Sequence, residues 1–206
     1  MAGHQQVYGI VIVSVRNWGW AIWFVGLPGC GKTTLAKGVH EHLHSQGWDL
    51  VSLQMDKRRK VYFPEPMYTI EEREKAYALF VDEAVEYLRQ GRNVIMDGSA
   101  YKLAMRTYAR QQIPRFAEIF IQCDLDEAVR REESRPEGVV LANLYKKALI
   151  RQKTGEQFEG LGEVIGIDID FEVDPDAELI IDNSLYSKEK TLRKTLHFLD
   201  SWLPNV

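Results

Sequence analysis

The feature that most constrains the fold of this chain is the run GLPGCGKTT at residues 26–34. It fits the pattern G-x-x-x-x-G-K-[ST] and lies between the apolar run AIWFV and a segment with helical periodicity. Glycines in such a turn let backbone N–H groups converge on phosphate oxygens, and the N-terminus of the next helix adds positive potential. A strand, a loop and a helix in this order predict a phosphate-binding loop (P-loop) within an α/β fold.

The rest of the chain repeats the alternation of strand and helix. Short apolar runs predict strands at residues 21–25, 50–54, 93–97, 117–123 and 177–182. Helical periods predict helices at residues 33–45, 70–89, 103–112, 126–134, 142–152 and 188–202. The sequence TIEE at residues 69–72 is a capping box that supports the start of the second helix. This order is typical of a three-layer α/β fold with a mostly parallel sheet and helices on both faces.

The length of the chain predicts a single domain over residues 1–206, with two unusual segments. The charged, glycine-containing stretch 135–176 breaks the alternation and is predicted to be a mobile lid that covers the substrate. Residues 7–15 (VYGIVIVSV), within the leading segment 1–17, alternate like a strand and can add to a sheet edge. That run is too short to span a bilayer and no lysine or arginine precedes it, so neither a membrane span nor a signal peptide is expected.

Composition argues against several classes of function. The net charge of -4 disfavours bulk binding of nucleic acid. The chain has two cysteines, Cys30 and Cys123, so no disulfide framework is expected and a reducing cytoplasm is the predicted location. The motif HEHLH at residues 40–44 fits the zinc-protease pattern H-E-x-x-H, but catalysis there needs a third ligand and a cleft. Exposed helix residues are the preferred interpretation of this motif.

Residues of the loop have defined roles in binding a nucleoside triphosphate. Lys32 would reach the β- and γ-phosphates, and the Thr33 hydroxyl would ligate Mg²⁺. The predicted ATP-binding residues of the loop are Gly26, Gly29, Cys30, Gly31, Lys32, Thr33 and Thr34. Asp97, at the end of the apolar strand NVIMD, is a second candidate for orienting Mg²⁺ through water, with a helix cap or a turn residue as its alternative.

Several ordered stretches of the chain resemble the adenylylsulfate kinase family of P-loop kinases. They are WGWAIWFVGLPGCGKTTLA (18–36), MDKRR (55–59), YTIEER (68–73), LYKKA (144–148), GID (166–168), FE (171–172) and ELIIDNS (178–184). The resemblance implies a P-loop kinase that uses ATP and Mg²⁺. It further implies transfer of the γ-phosphoryl group to the ribose 3′-hydroxyl of adenylyl sulfate, which gives 3′-phosphoadenylyl sulfate for sulfate assimilation.

The resemblance also implies roles for residues outside the loop. Asp56 would orient or deprotonate the attacking hydroxyl and help to hold Mg²⁺, with an exposed turn carboxylate as the alternative. Arg59 and Arg73 would grip the phosphosulfate, and Tyr68 would stack on the adenine. The other implied positions are Lys146 and Lys147 near the substrate, Arg135 in the lid near ATP, and Ser99, the serine that some members phosphorylate. For each of these residues an ordinary surface or half-buried role is the alternative.

Departures from the family pattern leave the acceptor open. Ala76 stands where the family has Asn, Val164 replaces a second stacking aromatic residue, and DGSAY (97–101) replaces Phe–Ile–Ser–Pro–Tyr. A P-loop kinase that acts on another small hydroxylated or nucleotide-linked substrate is therefore the second hypothesis. A nucleotide-binding module without phosphate transfer is the third, and the candidate base Asp56 argues against it. Family members are often dimers, so the resemblance makes a homodimer possible, although no stretch of the sequence indicates an interface. Neither nucleic acid nor a membrane is expected as a partner.

Overall fold

A computed structural model describes residues 18–134, 143–184 and 186–203. Within these residues five strands form one sheet in the order β2-β3-β1-β4-β5, and every neighbouring pair is parallel. The strands are β1 (Ala21–Val25), β2 (Leu50–Gln54), β3 (Asn93–Asp97), β4 (Phe116–Gln122) and β5 (Leu179–Asp182). The predicted α/β fold with a parallel sheet is confirmed. The predicted edge strand at residues 7–15 lies outside the described residues.

Seven helices within the described residues connect these strands. They are α1 (Lys32–Ser45), α2 (Met55–Tyr62), α3 (Ile70–Arg89), α4 (Leu103–Gln112), α5 (Leu125–Glu133), α6 (Leu144–Thr154) and α7 (Lys188–Trp202). The bounds of α3, α4 and α7 are those predicted, and α3 begins where Thr69 Oγ1 accepts a hydrogen bond from Glu72 N at 3.2 Å. None of the helices in the described part of the chain is both long enough and apolar enough to cross a membrane.

The helix α2 is not predicted from the sequence. Its residues MDKRRKVY are mostly polar, and only Met55 and Arg59, one turn apart, are buried. A pattern with two buried positions is too short to show helical periodicity. As a result Asp56, which the sequence places simply after the second strand, lies in the first turn of a helix.

Two hydrophobic cores lie on opposite faces of the sheet, because successive residues of β1 point to opposite sides. Trp23 packs in the core beneath α3 and α4, whereas Ile22 and Phe24 pack in the core beneath α1 and α7. All five residues of β1 are buried, as expected for the middle strand of a covered parallel sheet. The helices therefore cover both faces of the sheet.

The strand order determines where a ligand can bind. β1 lies in the middle, with β2 and β3 on one side and β4 and β5 on the other. In such sheets ligands bind outside the carboxyl ends of the strands, where connections leave in opposite directions. The P-loop follows β1 at this edge. Of the predicted lid at 135–176, the described part holds α6 and a largely irregular segment, and its mobility stays a prediction.

Candidate active site

The loop between β1 and α1 has the backbone of a phosphate-binding turn. Gly29 has a φ of 83°, and a Cβ at this position would lie 2.3 Å from the carbonyl oxygen of Ala128 in α5. Gly31 caps α1 with a φ of 103°. Residues with side chains rarely adopt such positive φ values, so both positions favour glycine. At these two positions the backbone before the N-terminus of α1 therefore carries no side chain.

Two side chains outside the motif hold the loop from the protein interior. Asn183, just after β5, donates from Nδ2 to the carbonyl oxygen of Cys30 at 2.8 Å and accepts from Thr191 Oγ1 at 2.5 Å. Tyr145 of α6 donates its hydroxyl to the carbonyl oxygen of Pro28 at 2.8 Å. The sequence predicts neither residue as part of the site. Both nevertheless lie in stretches, ELIIDNS and LYKKA, that carry the family resemblance.

The predicted phosphate-binding side chains gather at the start of α1. Lys32 is buried, and its Nζ donates to the carbonyl oxygen of Leu27 at 2.8 Å and lies 3.9 Å from Sγ of Cys30. Thr33 and Thr34 are exposed in the first turn of the helix. An ammonium group and two hydroxyl groups are therefore available at the positive end of a helix, the environment that a phosphate chain requires.

Two carboxylates lie at the same edge of the sheet. Asp97 is buried at the end of β3 and pairs in register with Phe24 of β1. Asp56 is exposed in the first turn of α2. A Cβ on Gly98 would lie 3.0 Å from the Cβ of Met55, the residue before Asp56. The P-loop joins the same assembly, because Gly26 N donates to the carbonyl oxygen of Ser99 at 3.5 Å.

Arg59 and Tyr68, two predicted substrate residues, lie beside each other. Arg59 is buried in an ion pair with Glu72, with 3.2 Å between Nη1 and Oε1. Its guanidinium lies 5.2 Å from the centre of the Tyr68 ring. Tyr68 has a φ of 59°, a conformation that is uncommon for a bulky residue. Burial raises the pKa of the Tyr68 hydroxyl, so that group stays protonated at neutral pH.

Arg73, the third predicted substrate residue, bonds to backbone carbonyl groups. Its Nε donates to the carbonyl oxygen of Tyr68 at 3.0 Å, and Nη2 donates to that of Glu163 at 2.6 Å. Among the described residues no carboxylate forms an ion pair with it. Burial lowers the pKa of this guanidinium. Arg73 is therefore a partly desolvated cation that an anionic ligand can satisfy.

The loop DGSAY (97–101) is held by side chains from the helices above it. Ala100 has a φ of 43°, its N–H donates to the Tyr77 hydroxyl at 2.9 Å, and its carbonyl oxygen accepts from Arg106. Arg106 also pairs with Glu118 at 2.9 Å, and both side chains are fully buried. Burial raises the pKa of Glu118 to about 7, although the Arg106 charge opposes the shift. This conformation brings the backbone of Ser99 against the P-loop.

The remaining predicted residues are more widely spread. Lys146 is exposed and Lys147 half-buried on α6, next to Tyr145. Arg135 lies outside the described residues. Val164, which stands where the family has a second stacking aromatic residue, is buried in the core beneath α1 and α7 and offers no surface for stacking. Ala76 packs in the core beneath α3 and α4.

The histidines of the zinc-protease motif lie on one side of α1. His40 and His44 stack on each other with 5.9 Å between the ring centroids. In the described ranges no group of three potential metal-ligating His, Cys, Asp or Glu side chains is present. The histidines therefore keep their interpretation as residues of the helix surface.

A cavity of about 540 Å³ opens at the ends of β4 and β5. It is lined by Asp124, Leu125, Asp126, Glu127, Arg130 and Ser184. The helix that contributes most of this lining also contacts the loop, through Ala128 and Gly29. The cavity is large enough for a nucleoside.

Comparison with known proteins finds kinases. The sequence profile of a family described as Adenylylsulphate kinase matches residues 18–182. A cytidine diphosphoramidate kinase from Campylobacter jejuni is 28% identical over 175 residues, which cover 82% of this chain and 89% of the relative. A probable adenylyl-sulfate kinase from Archaeoglobus fulgidus is 30% identical over 161 residues, which cover 78% of this chain and 94% of the relative.

Solved structures give the same fold. The APS kinase of Mycobacterium tuberculosis in complex with AMPPNP and APS has a TM-score of 0.72 at 21% identity, over 89% of this chain and 98% of that chain. The crystal structure of APE1195 has a TM-score of 0.71 at 24% identity, over 91% of this chain and 98% of that chain. At these levels of identity the similarity demonstrates a shared fold.

Proposed function

The chain belongs to the adenylylsulfate kinase family, and from this premise we propose that it transfers the γ-phosphoryl group of ATP to the ribose 3′-hydroxyl of adenylyl sulfate. The products would be ADP and 3′-phosphoadenylyl sulfate. The observation that supports this most is the contact of three segments at one edge of the sheet. The P-loop touches the loop after β3 through Gly26 and Ser99, and Gly98 touches the start of α2 beside Asp56.

On the donor side, the triphosphate would lie against the backbone of residues 26–34 and the nucleoside in the cavity at the start of α5. Lys32 would exchange its bond to the Leu27 carbonyl for bonds to phosphate oxygens. The Thr33 hydroxyl and the Asp97 carboxylate are oxygen donors of the kind that Mg²⁺ prefers, so the residues present fit this ion. When bound, Mg²⁺ would supply neutralisation of phosphate charge.

On the acceptor side, Asp56 would accept the proton of the 3′-hydroxyl while the oxygen of that hydroxyl bonds to the γ-phosphorus. The bond from that phosphorus to the bridging oxygen of ADP breaks in the same step. Asp56 is exposed, so it can meet a hydroxyl that enters from solvent. Arg59 and Arg73 would hold the anionic phosphosulfate, and Tyr68 would stack on the base. Most of the rate enhancement would come from this positioning and from charge stabilisation.

The second candidate acceptor is cytidine diphosphoramidate. One relative of this chain is named for that substrate, and Val164 is buried where the family resemblance predicts an aromatic residue against the base. Both acceptors are nucleotides in which the anionic phosphate on the ribose carries a second group, a sulfate in adenylyl sulfate and a phosphoramidate in cytidine diphosphoramidate. The same arginine residues would therefore serve either acceptor, and the base would distinguish them.

A panel of acceptors tests the proposal. Purified enzyme, ATP and Mg²⁺ are incubated with adenylyl sulfate, cytidine diphosphoramidate, or a set of sugars and nucleosides, and ADP and the phosphorylated product are separated by chromatography. We expect a 3′-phosphorylated product with adenylyl sulfate. A product with cytidine diphosphoramidate alone would identify the second candidate as the acceptor and exclude adenylyl sulfate. A product with neither would overturn both.

The variant Asp56→Asn tests the mechanism on whichever acceptor is used. Loss of a general base should lower kcat by about 10²- to 10⁴-fold with little change in ATP affinity. The matched control is Asp200→Asn, an exposed carboxylate on α7 far along the chain from the site residues. Unchanged turnover of Asp56→Asn would contradict the assignment of Asp56 as the base.

We further propose that the protein is a cytoplasmic homodimer, which the low cysteine content and the family resemblance support. The chain has a mass of 23.8 kDa, so light scattering on the purified protein separates monomer from dimer directly. A monomer at the concentrations used for assay would contradict the second part of this proposal.

A further inference from the structure

Glu72 is the third residue of α3, where the carboxylate of a capping box ordinarily accepts from the backbone N–H of the N-cap residue. One half of that motif is present, because Glu72 N donates to Thr69 Oγ1. The carboxylate, however, reaches further back along the chain. It accepts from Met67 N at 2.5 Å and from Tyr68 N at 3.2 Å. Glu72 thus holds the turn before the helix in addition to the helix end.

The same carboxylate is the partner of a buried arginine. Its Oε1 lies 3.2 Å from Nη1 of Arg59, and the exposed fractions of the Arg59 and Glu72 side chains are 6% and 7%. Charges buried to this extent are stabilised only when they are paired and hydrogen-bonded. The ion pair fixes the guanidinium of α2 against α3 and beneath the Tyr68 ring.

Glu72 and its neighbour Arg73 grip Tyr68 from both sides of its peptide backbone. The N–H of Tyr68 donates to Glu72, and its carbonyl oxygen accepts from Nε of Arg73 at 3.0 Å. Tyr68 is in the left-handed region, where a bulky residue stays only if its surroundings hold it. Gly162 adds to this restraint, because a Cβ there would lie 2.8 Å from the Cβ of Tyr68.

We infer that Glu72 is a positioning residue for the phosphoryl acceptor, a role that rests on the proposed function of Arg59, Tyr68 and Arg73. It neutralises Arg59 and makes that guanidinium a fixed hydrogen-bond donor. Arg73, which bonds to carbonyl groups alone among the described residues, is left as the cation that meets the anionic group of the acceptor. Loss of Glu72 would release the turn at Tyr68 and the guanidinium of Arg59 together.

The test is the steady-state kinetics of Glu72→Gln with the acceptor that the wild-type enzyme phosphorylates. Glutamine keeps the size of the side chain but loses the charge and one of the two accepting oxygens. We expect the KM for the acceptor to rise about tenfold or more, and the KM for ATP to stay within about twofold. The matched control is Glu71→Gln, an exposed carboxylate in the same helical turn, which should change neither KM.

Two kinetic results would overturn the inference. One is an unchanged KM for the acceptor in Glu72→Gln, and the other is an equal rise in the KM for ATP, which would indicate a general structural role. If Glu72→Gln fails to fold, as a melting curve will show, Glu72→Asp replaces it. That variant keeps the charge but shortens the side chain, and an unchanged KM for the acceptor there would overturn the inference equally.

A measurement without acceptor separates this inference from the proposed function. If the wild-type enzyme phosphorylates neither proposed acceptor, the proposed function has failed. The role of Glu72 is then decided by NMR of the arginine Nε–H groups, with the Arg73 signal assigned by Arg73→Lys. We expect this signal to be protected from solvent exchange in the wild type and in Glu71→Gln and to lose protection in Glu72→Gln. Protection that persists in folded Glu72→Gln would overturn the inference.

Discussion

The donor side and the acceptor side of the site are stabilised in different ways. We use "donor side" for the loop 26–34 with Asn183 and Tyr145, and "acceptor side" for Arg59, Tyr68, Glu72 and Arg73. On the donor side neutral, buried side chains bond to backbone carbonyl groups of the loop. On the acceptor side charged groups from α2 and α3 orient one another and the turn at Tyr68.

This difference follows from what each side has to recognise. Every kinase that uses ATP holds the same phosphate chain, and backbone N–H groups at a helix N-terminus serve that purpose without regard to the acceptor. Acceptors differ in shape and charge, so their recognition requires side chains that are placed individually. Substitutions on the donor side should therefore weaken the use of ATP with every acceptor. Substitutions on the acceptor side should weaken the use of the acceptor and leave the use of ATP unchanged.

Among the residues of these two sides, the largest effect is expected from Lys32→Ala on the donor side. Loss of a preorganised cation at the phosphates should lower kcat/KM by about 10²- to 10³-fold, because that charge stabilises the transferring group. The loss should be the same for every acceptor that the wild type uses. Steady-state assays measure it, with Lys37→Ala as the control, since Lys37 is an exposed lysine of the same helix paired with Glu41. A loss that depends on the acceptor would contradict the division into two sides.

The second prediction compares the two arginines of the acceptor side. Arg73→Ala should raise the KM for the acceptor by about 10- to 100-fold, the effect of losing a charged hydrogen bond of roughly 1.5–3 kcal/mol. Arg59→Ala should instead act first on folding, because it leaves the Glu72 carboxylate buried without its partner, at a cost of about 3–5 kcal/mol. Thermal unfolding and acceptor kinetics on both variants check this. A larger loss of stability in Arg73→Ala would reverse the assignment.

The donor side was more readily predicted from the sequence than the acceptor side. The P-loop is a local pattern, and its glycines, lysine and threonines follow one another along the chain. The helix α3 has the predicted bounds because a capping box marks its start and a long periodic pattern follows. In α2 the buried residues Met55 and Arg59 are too few for a pattern, so a helix that carries two candidate site residues is absent from the prediction.

The sequence does not predict the residues whose contacts in the site are with residues far away along the chain. Glu72 belongs to a motif that predicts a helix cap, and nothing local indicates that its carboxylate also pairs with Arg59 on another helix. Asn183 and Tyr145 lie in stretches that resemble the family, but their bonds to Cys30 and Pro28 depend on how β5 and α6 pack beside the loop. Such contacts are a property of the tertiary structure.

The third prediction concerns the support behind the donor loop. Asn183→Ala removes the bonds to the carbonyl oxygen of Cys30 and to Thr191, each worth about 0.5–1.5 kcal/mol. The KM for ATP should therefore rise roughly two- to tenfold, while the KM for the acceptor stays unchanged. Ser187→Ala, which removes a cap of α7 further from the loop, is the control. An equal rise for both substrates would show that Asn183 supports the whole edge of the sheet.

The smallest effect on the reaction itself is expected from the buried pair beneath the loop 97–101. Burial raises the pKa of Glu118 from its ordinary value of 4.5 to about 7, so between these values the native state binds more protons than the unfolded state. The stability that this group contributes is present below pH 4.5 and is lost as the pH rises toward 7. Glu118→Gln should therefore flatten the fall in the free energy of unfolding over that range, relative to the wild type. Urea unfolding at a series of pH values measures the slope, with the exposed Glu86→Gln as control.

An unchanged slope in Glu118→Gln would mean that Arg106 keeps Glu118 ionised throughout this pH range. The loop 97–101 would then rest on a fixed ion pair, and its support would depend on pH no more than the neutral supports of the donor side do.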